Sequence, residues 1–207
     1  MEFTFFRCRI RISVTFVTLV AVTVILDTSG MAVWTIGSAF LHEAGHFLAF
    51  SLLGSPPAQV ELLPFGMRME TSKGLSLGYA KEALACLAGP MVNLLLFLVF
   101  SILGKSLGLQ WMAVPAAVNL VLGGFNLLPV APLDGGQTLF CILCLFLEEK
   151  WSNRIICVLS VIVLLPVSIL SFTIMLRSGF NITLLVTVTY LILLFAKSQR
   201  YSPGIHG

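Results

Sequence analysis

Apolar residues in this chain run in long blocks separated by short breaks rich in polar residues, glycine and proline. Each block is close to the roughly 20 residues that a helix needs to cross a bilayer. The blocks predict helices near 12–26, 31–53, 82–104, 154–176 and 181–196, and a further one that starts near Trp111. Pro129 and Pro132 should break that one before it resumes through about Leu147, and Pro166 should kink the next. Residues 56–72 have another rhythm. Pro56, Pro57, Pro64 and Gly66 work against a helix, Val60 and Leu62 flank Glu61, and Met67 and Met69 flank Arg68. With Pro64-Phe65-Gly66 as the turn, this period of two predicts a β-hairpin, with a plain loop as the competing reading. The expected fold class is an all-α polytopic membrane protein, with six transmembrane helices, a short β-hairpin after the second and a broken fourth helix.

Composition agrees. Of 207 residues, 58% are hydrophobic and 10% charged, against about a quarter charged in a soluble domain. Mean hydropathy is +1.03. No polar stretch is long enough for a separate soluble domain, so residues 1–207 are expected to form a single domain. The net charge of +3 is small and spread over loops, which gives no case for nucleic-acid binding. With the N-terminus in the cytoplasm, that side would hold Arg7, Arg9, Arg11, Arg68, Lys73, Lys81, Lys150, Arg154, Lys197 and Arg200. The other side would hold Lys105 and Arg177, so the positive-inside rule puts both termini in the cytoplasm. The basic start and short first block also describe a signal peptide. Asp27 interrupts the approach to Thr28-Ser29-Gly30 and no A-x-A-like site follows, which favours a retained span whose arginines snorkel to the interface. Five cysteines without framework spacing predict no disulfides, and Cys141 and Cys144, in a Leu/Phe-rich run, read as packing residues.

The chemistry centres on HEAGH, His42 to His46, in the second block. Residues four apart share a helix face, so His42 and His46 can point at one centre. Two imidazoles so placed suit one Zn²⁺, with Glu43 beside them as general base. The bland alternative is a pair of histidines satisfied by helix packing. The chain has three His, and two of them fall in this pattern. A catalytic zinc takes three protein ligands and keeps a position for water. His206 lies in the C-terminal tail, which leaves Asp134, in N-L-L-P-V-A-P-L-D-G-G from Asn126 to Gly136, as the candidate third ligand. Irregular backbone at membrane depth survives where it lines a cavity or is buried in protein. Asn93, in A-G-P-M-V-N, has two open readings. It steadies an oxyanion, or it makes an interhelical hydrogen bond beside the small residues Ala85 and Gly89.

HEAGH in one span, G-P-x-x-N in the next, and N-x-x-P with a later L-D-G together resemble the site-2 protease family of intramembrane zinc metalloproteases. The resemblance covers about residues 30–147, and its wording is most similar to the bacterial stage IV sporulation protein FB branch. That branch's CBS domain, and the PDZ domains of others, have no match in residues 1–207. The resemblance implies one Zn²⁺ held by His42, His46 and Asp134, Glu43 as the catalytic base, and Asn93 as an active-site support. It implies a membrane-associated hairpin near 58–71 whose edge, with Asn126, Pro129 and the residues up to Pro132, holds an unwound membrane-protein substrate as an added strand. The expected setting is a bacterial inner membrane, with the active site opening to the cytoplasm and with regulatory membrane partners. Two rival functions use the same residues. A metal transporter would need further polar groups along its path, and the spans are nearly free of them. An inactive homologue that only binds membrane partners would have no use for Glu43.

Overall fold

Residues 2–5 and 8–12, expected only as a basic flank, form strands. The computed structural model describes residues 2–5, 8–63, 66–71, 77–177, 189 and 192, in two compact units, Met1–Asn126 and Leu127–Gly207. The first unit opens with β1 (Glu2–Phe5) and β2 (Cys8–Ile12), then α1 (Val14–Leu26) and α2 (Met31–Leu52). Strands β3 (Pro57–Leu63) and β4 (Gly66–Thr71) follow, then α3 (Tyr79–Leu107), a 3-10 turn (Gln110–Met112) and α4 (Ala113–Asn126). The two strands of the expected hairpin are there, but as half of a four-stranded sheet in the order β1-β2-β3-β4. Its expected turn residues Pro64 and Phe65 lie outside the described residues. Strand β2 runs parallel to β3, and the other neighbours are antiparallel.

The register explains the sheet. Glu2 stands opposite Arg11, Arg11 opposite Glu61, and Glu61 opposite Arg68, so acidic and basic positions alternate along one row. The next row aligns Phe3, Ile10, Val60 and Met69, and Val60 is buried. Acidic positions thus align with basic ones and apolar positions with apolar ones in the register. The residues that supply the first strands also carry period-two alternation, Glu2-Phe3-Thr4-Phe5 and Arg9-Ile10-Arg11-Ile12. Treating them as a flank to a span misses that pattern. Residues 2–5 and 8–12 are an integral part of the sheet.

Helix α1 has 13 residues, about 20 Å at 1.5 Å per residue, short of the roughly 30 Å hydrocarbon core. Helix α3 and the helix over Glu149–Arg177 are long and apolar enough to cross a bilayer. Each has a face of apolar side chains outside the core: Leu95 is 61% exposed and Ile102 60%, and Ile162 58% and Ile169 65%. Water would penalise so much bare apolar surface along two helices, whereas lipid does not. The chain is a membrane protein. Six spans are not all visible: two helices among the described residues are long and apolar enough to cross, and the predicted helix at 181–196 lies, apart from 189 and 192, outside the described residues.

The loop before α2 carries its own cap. Gly30 adopts φ 74°, and the Asp27 carboxylate reaches past it to accept the Ala32 N–H at 2.7 Å. The same carboxylate accepts the Ser29 N–H at 2.9 Å and the Ser29 hydroxyl at 2.6 Å. The Ser29 hydroxyl first, and then the Ala32 N–H, hold the Asp27 carboxyl below its ordinary value of 3.8. Farther along, Trp34 stacks on Trp111 and meets Phe100 edge-on, each at 5.8 Å between centroids, tying α2, α3 and the 3-10 turn together.

The second unit contains α5 (Asp134–Cys144) and α6 (Glu149–Arg177). The predicted break in the fourth helix is a seven-residue turn-rich segment, 127–133, folded onto the start of α5. A Cβ on Gly135 would lie 2.2 Å from the Leu127 carbonyl oxygen, and one on Gly136 2.1 Å from that of Val130. Only hydrogen fits at either place, which is the local reason for the D-G-G sequence. The Ala131 N–H donates to the Ser160 hydroxyl at 2.9 Å, and that hydroxyl donates to Ile156 O at 2.7 Å. Cys141 is buried in α5, consistent with its reading as a packing residue.

Because the folded Asp27 is held low, its contribution is complete above its ordinary value of 3.8 and fades as pH falls through the lower folded value. Asp27→Ala should therefore lower the thermal unfolding midpoint in detergent at neutral pH, and the gap from wild type should close on acidification.

Candidate metal centre

Three helices of the first unit meet through matching stripes, each of three buried residues four apart. Helix α2 supplies Ser38, His42 and His46, α3 supplies Ala85, Gly89 and Asn93, and α4 supplies Pro115, Asn119 and Gly123. Small residues set the spacing. A Cβ on Gly45 would lie 2.9 Å from Val92 Cγ2 and 3.1 Å from Ala88 O, and one on Gly123 3.1 Å from Asn93 Cβ. Backbones this close give polar side chains short reach to a neighbouring helix.

The two histidines use that reach. His46 Nδ1 donates to the Ala85 carbonyl at 2.8 Å. A carbonyl only accepts, so the His46 ring carries its proton on Nδ1 and presents a lone pair at Nε2. His42 Nδ1 lies 2.5 Å from Asn93 Oδ1. The rings cross at 82°, and their Nε2 atoms stand 3.2 Å apart. Two nitrogens tetrahedrally bound to one zinc at about 2.0–2.1 Å would be roughly 3.3 Å apart. The pair therefore fits a single cation, and the acceptor behind each ring is the outer support that metal-bound histidines carry. Both rings are buried, and Glu43, next to His42 on the same helix, is half-buried.

Gly89 leaves the room. A Cβ there would lie 2.2 Å from His46 Nε2 and 2.8 Å from His42 Nε2. The glycine of A-G-P thus makes room for the two imidazole nitrogens as well as for helix packing.

The other sequence-predicted residues are distributed as follows. Asn93 is fully buried, and of its two open readings the hydrogen-bonded one describes it: it ties α3 to His42 and to α4. Asn126 closes α4, its amide donating to Leu122 O at 3.1 Å. Pro129 and Asp134 belong to the second unit, Pro129 half-buried in the turn-rich segment and Asp134 in the first turn of α5. An acidic residue there is favoured by the helix dipole. Sequence reasoning misses Ser38 and Asn119. Asn119 is discoverable, as an amide inside an apolar block four residues from a proline on one side and a glycine on the other.

No protein-family model matches the chain. Over 111 residues, 51% of its length, it is 33% identical to a zinc metalloprotease of Methanocaldococcus jannaschii, aligned to 32% of that protein. Over 121 residues, 53% of its length, it is 37% identical to the candidate zinc metalloprotease Rip3 of Mycobacterium tuberculosis, aligned to 30% of it. The chain spans about a third of the length of the curated relatives it matches. Among solved structures, the site-2 protease from Methanocaldococcus jannaschii aligns with a TM-score of 0.65 at 23% identity, covering 100% of this chain and 97% of that one. The fold is that of a site-2 protease. A site-2 protease fold matches the mostly helical build and apolar surface described above.

Gly89→Ala would drive a methyl group into the two Nε2 atoms. It should weaken zinc binding by about tenfold or more with helical circular dichroism unchanged, as measured by zinc content after chelator dialysis.

Proposed function

We propose that this chain is an intramembrane zinc metalloprotease of the site-2 type, which hydrolyses a peptide bond in or near the transmembrane segment of a membrane protein. One observation carries the reading: two buried imidazoles converge through Nε2 atoms 3.2 Å apart, with a carboxylate next in sequence on the same helix. The names of the partial relatives and the site-2 protease fold support it.

In this reading one Zn²⁺ is held by His42, His46 and Asp134. The histidines fit on geometry, and Asp134 is assigned from its acidic side chain in an apolar block and from the L-D-G motif. Zinc supplies Lewis acidity, polarising the scissile carbonyl and making water nucleophilic near neutral pH. The chain's own residues do the rest. Glu43 takes the proton from the attacking water and returns one to the leaving amine nitrogen. The Ala85 carbonyl and the Asn93 amide keep the two rings aimed.

The substrate is a membrane protein with a locally unwound span, because a helix keeps its carbonyls in its own hydrogen bonds and offers no extended backbone. Strand β4 ends the described sheet and offers an edge for such a segment. Asn126 and Pro129 flank it in this reading. The distribution of Lys and Arg supports a site opening to the cytoplasm, with release of a cytoplasmic fragment. A bacterial inner membrane, regulatory membrane partners and a place near the sporulation branch complete the proposal, the last supported by the wording of residues 126–136.

Glu43→Gln should keep about one zinc per chain and abolish cleavage of a co-expressed membrane substrate, followed by fragment release on immunoblots. Asp134→Ala should lose most of the zinc. Cleavage by the Glu43→Gln variant would refute the base assignment, and full zinc retention without Asp134 would refute the third ligand.

A further inference from the structure

A histidine binds metal through Nε2 only if its proton sits on Nδ1. For His46 a backbone carbonyl decides this. For His42 the partner is an amide, and an amide has two ends. If Asn93 turned its NH₂ toward His42, Nδ1 would accept, the proton would move to Nε2, and the ring would cease to be a ligand. Something beyond the His42–Asn93 pair must orient Asn93.

That something is on α4. Asn93 Nδ2 donates to Asn119 Oδ1 at 2.8 Å and to the Ser38 carbonyl at 3.4 Å. The second distance lies beyond the usual 2.7–3.2 Å range for such bonds, so the first dominates. Asn119 is itself held the right way round. Its Nδ2 donates to the Pro115 carbonyl and to the Ser38 hydroxyl, each at 2.9 Å. A carbonyl cannot donate, so Asn119 must point its NH₂ toward Pro115 and its oxygen toward Asn93. Asn93 and Asn119 have no exposed surface, and Ser38 and His42 are 5% exposed, so bulk water cannot substitute for any member. The order runs from Pro115 O through Asn119, Asn93 and the His42 Nδ1–H to a lone pair at His42 Nε2.

We infer that Asn119 is a positioning residue for the metal centre, setting the His42 tautomer from a helix that supplies no ligand. The inference rests on the zinc-protease reading for its purpose, but not for its test. Metal-free protein labelled with ¹⁵N-histidine reports directly which ring nitrogen carries the proton, and only three histidines contribute signals. Wild type should show His42 as a single Nδ1–H tautomer. Asn119→Leu, which removes the acceptor, should populate the Nε2–H form and weaken zinc binding about tenfold to a hundredfold in chelator competition. Asn119→Asp keeps an acceptor toward Asn93 in either protonation state, so it should retain the wild-type tautomer and bind zinc within a few-fold of wild type. A residue needed only for packing predicts the reverse order, with Leu tolerated and a buried Asp harmful.

An Asn119→Leu protein with the wild-type tautomer and zinc affinity overturns the inference. If either variant fails to fold, the tautomer in the other decides. If wild type itself takes up no zinc, the metalloprotease reading fails, while the tautomer comparison still tests Asn119.

Discussion

The first unit is built around two imidazole Nε2 atoms 3.2 Å apart in a buried site. A proton on either Nε2 would let one ring donate to the other and cost a lone pair, and with no proton there the two acceptors repel. A cation between them turns the repulsion into binding, but only while both rings stay in the Nδ1–H form. The structure meets that condition by placing an acceptor behind each ring, a backbone carbonyl for His46 and a buried amide for His42. Each acceptor comes from α3, so the metal site requires α2 and α3 to be close and in one register.

Closeness comes from missing side chains. Gly45, Gly89 and Gly123 stand where any Cβ would meet a neighbouring helix or the two imidazole Nε2 atoms. In lipid there is no hydrophobic drive to press helices together, so near approach and hydrogen bonds between helices carry the association. The polar ties of Ser38, Asn93 and Asn119 therefore have two effects at once, joining α2, α3 and α4 and orienting a ligand. The outward faces carry none of this, and exposed leucine and isoleucine there suit lipid.

Much of this is legible in the residues. The HEAGH spacing, the paired strands on either side of residue 64 and the break at 127–133 all appear where the pattern puts them, because helix and strand periods and proline's effects act over a few residues. Two features escape such a reading. The alternation in Glu2–Phe5 and Cys8–Ile12 passes for a charged flank, since two strands that short need a larger sheet beside them, and the neighbour that supplies it, β3, lies dozens of residues away. Asn119 is just as ambiguous, because an amide in an apolar block is equally consistent with simple packing until its neighbours are known.

Which residues could act is written in the chain itself: a pair of imidazoles one helical turn apart, a carboxylate beside them, and glycines where helices would have to touch. Helical spacing is a property of the local backbone, so that much needs no knowledge of what lies elsewhere. The proton's place on each ring is another matter. No residue in the motif sets it. It follows from acceptors at Ala85 and Pro115, carried by other helices, and from the exclusion of water that would otherwise satisfy either arrangement, and both exist only once the helices have packed.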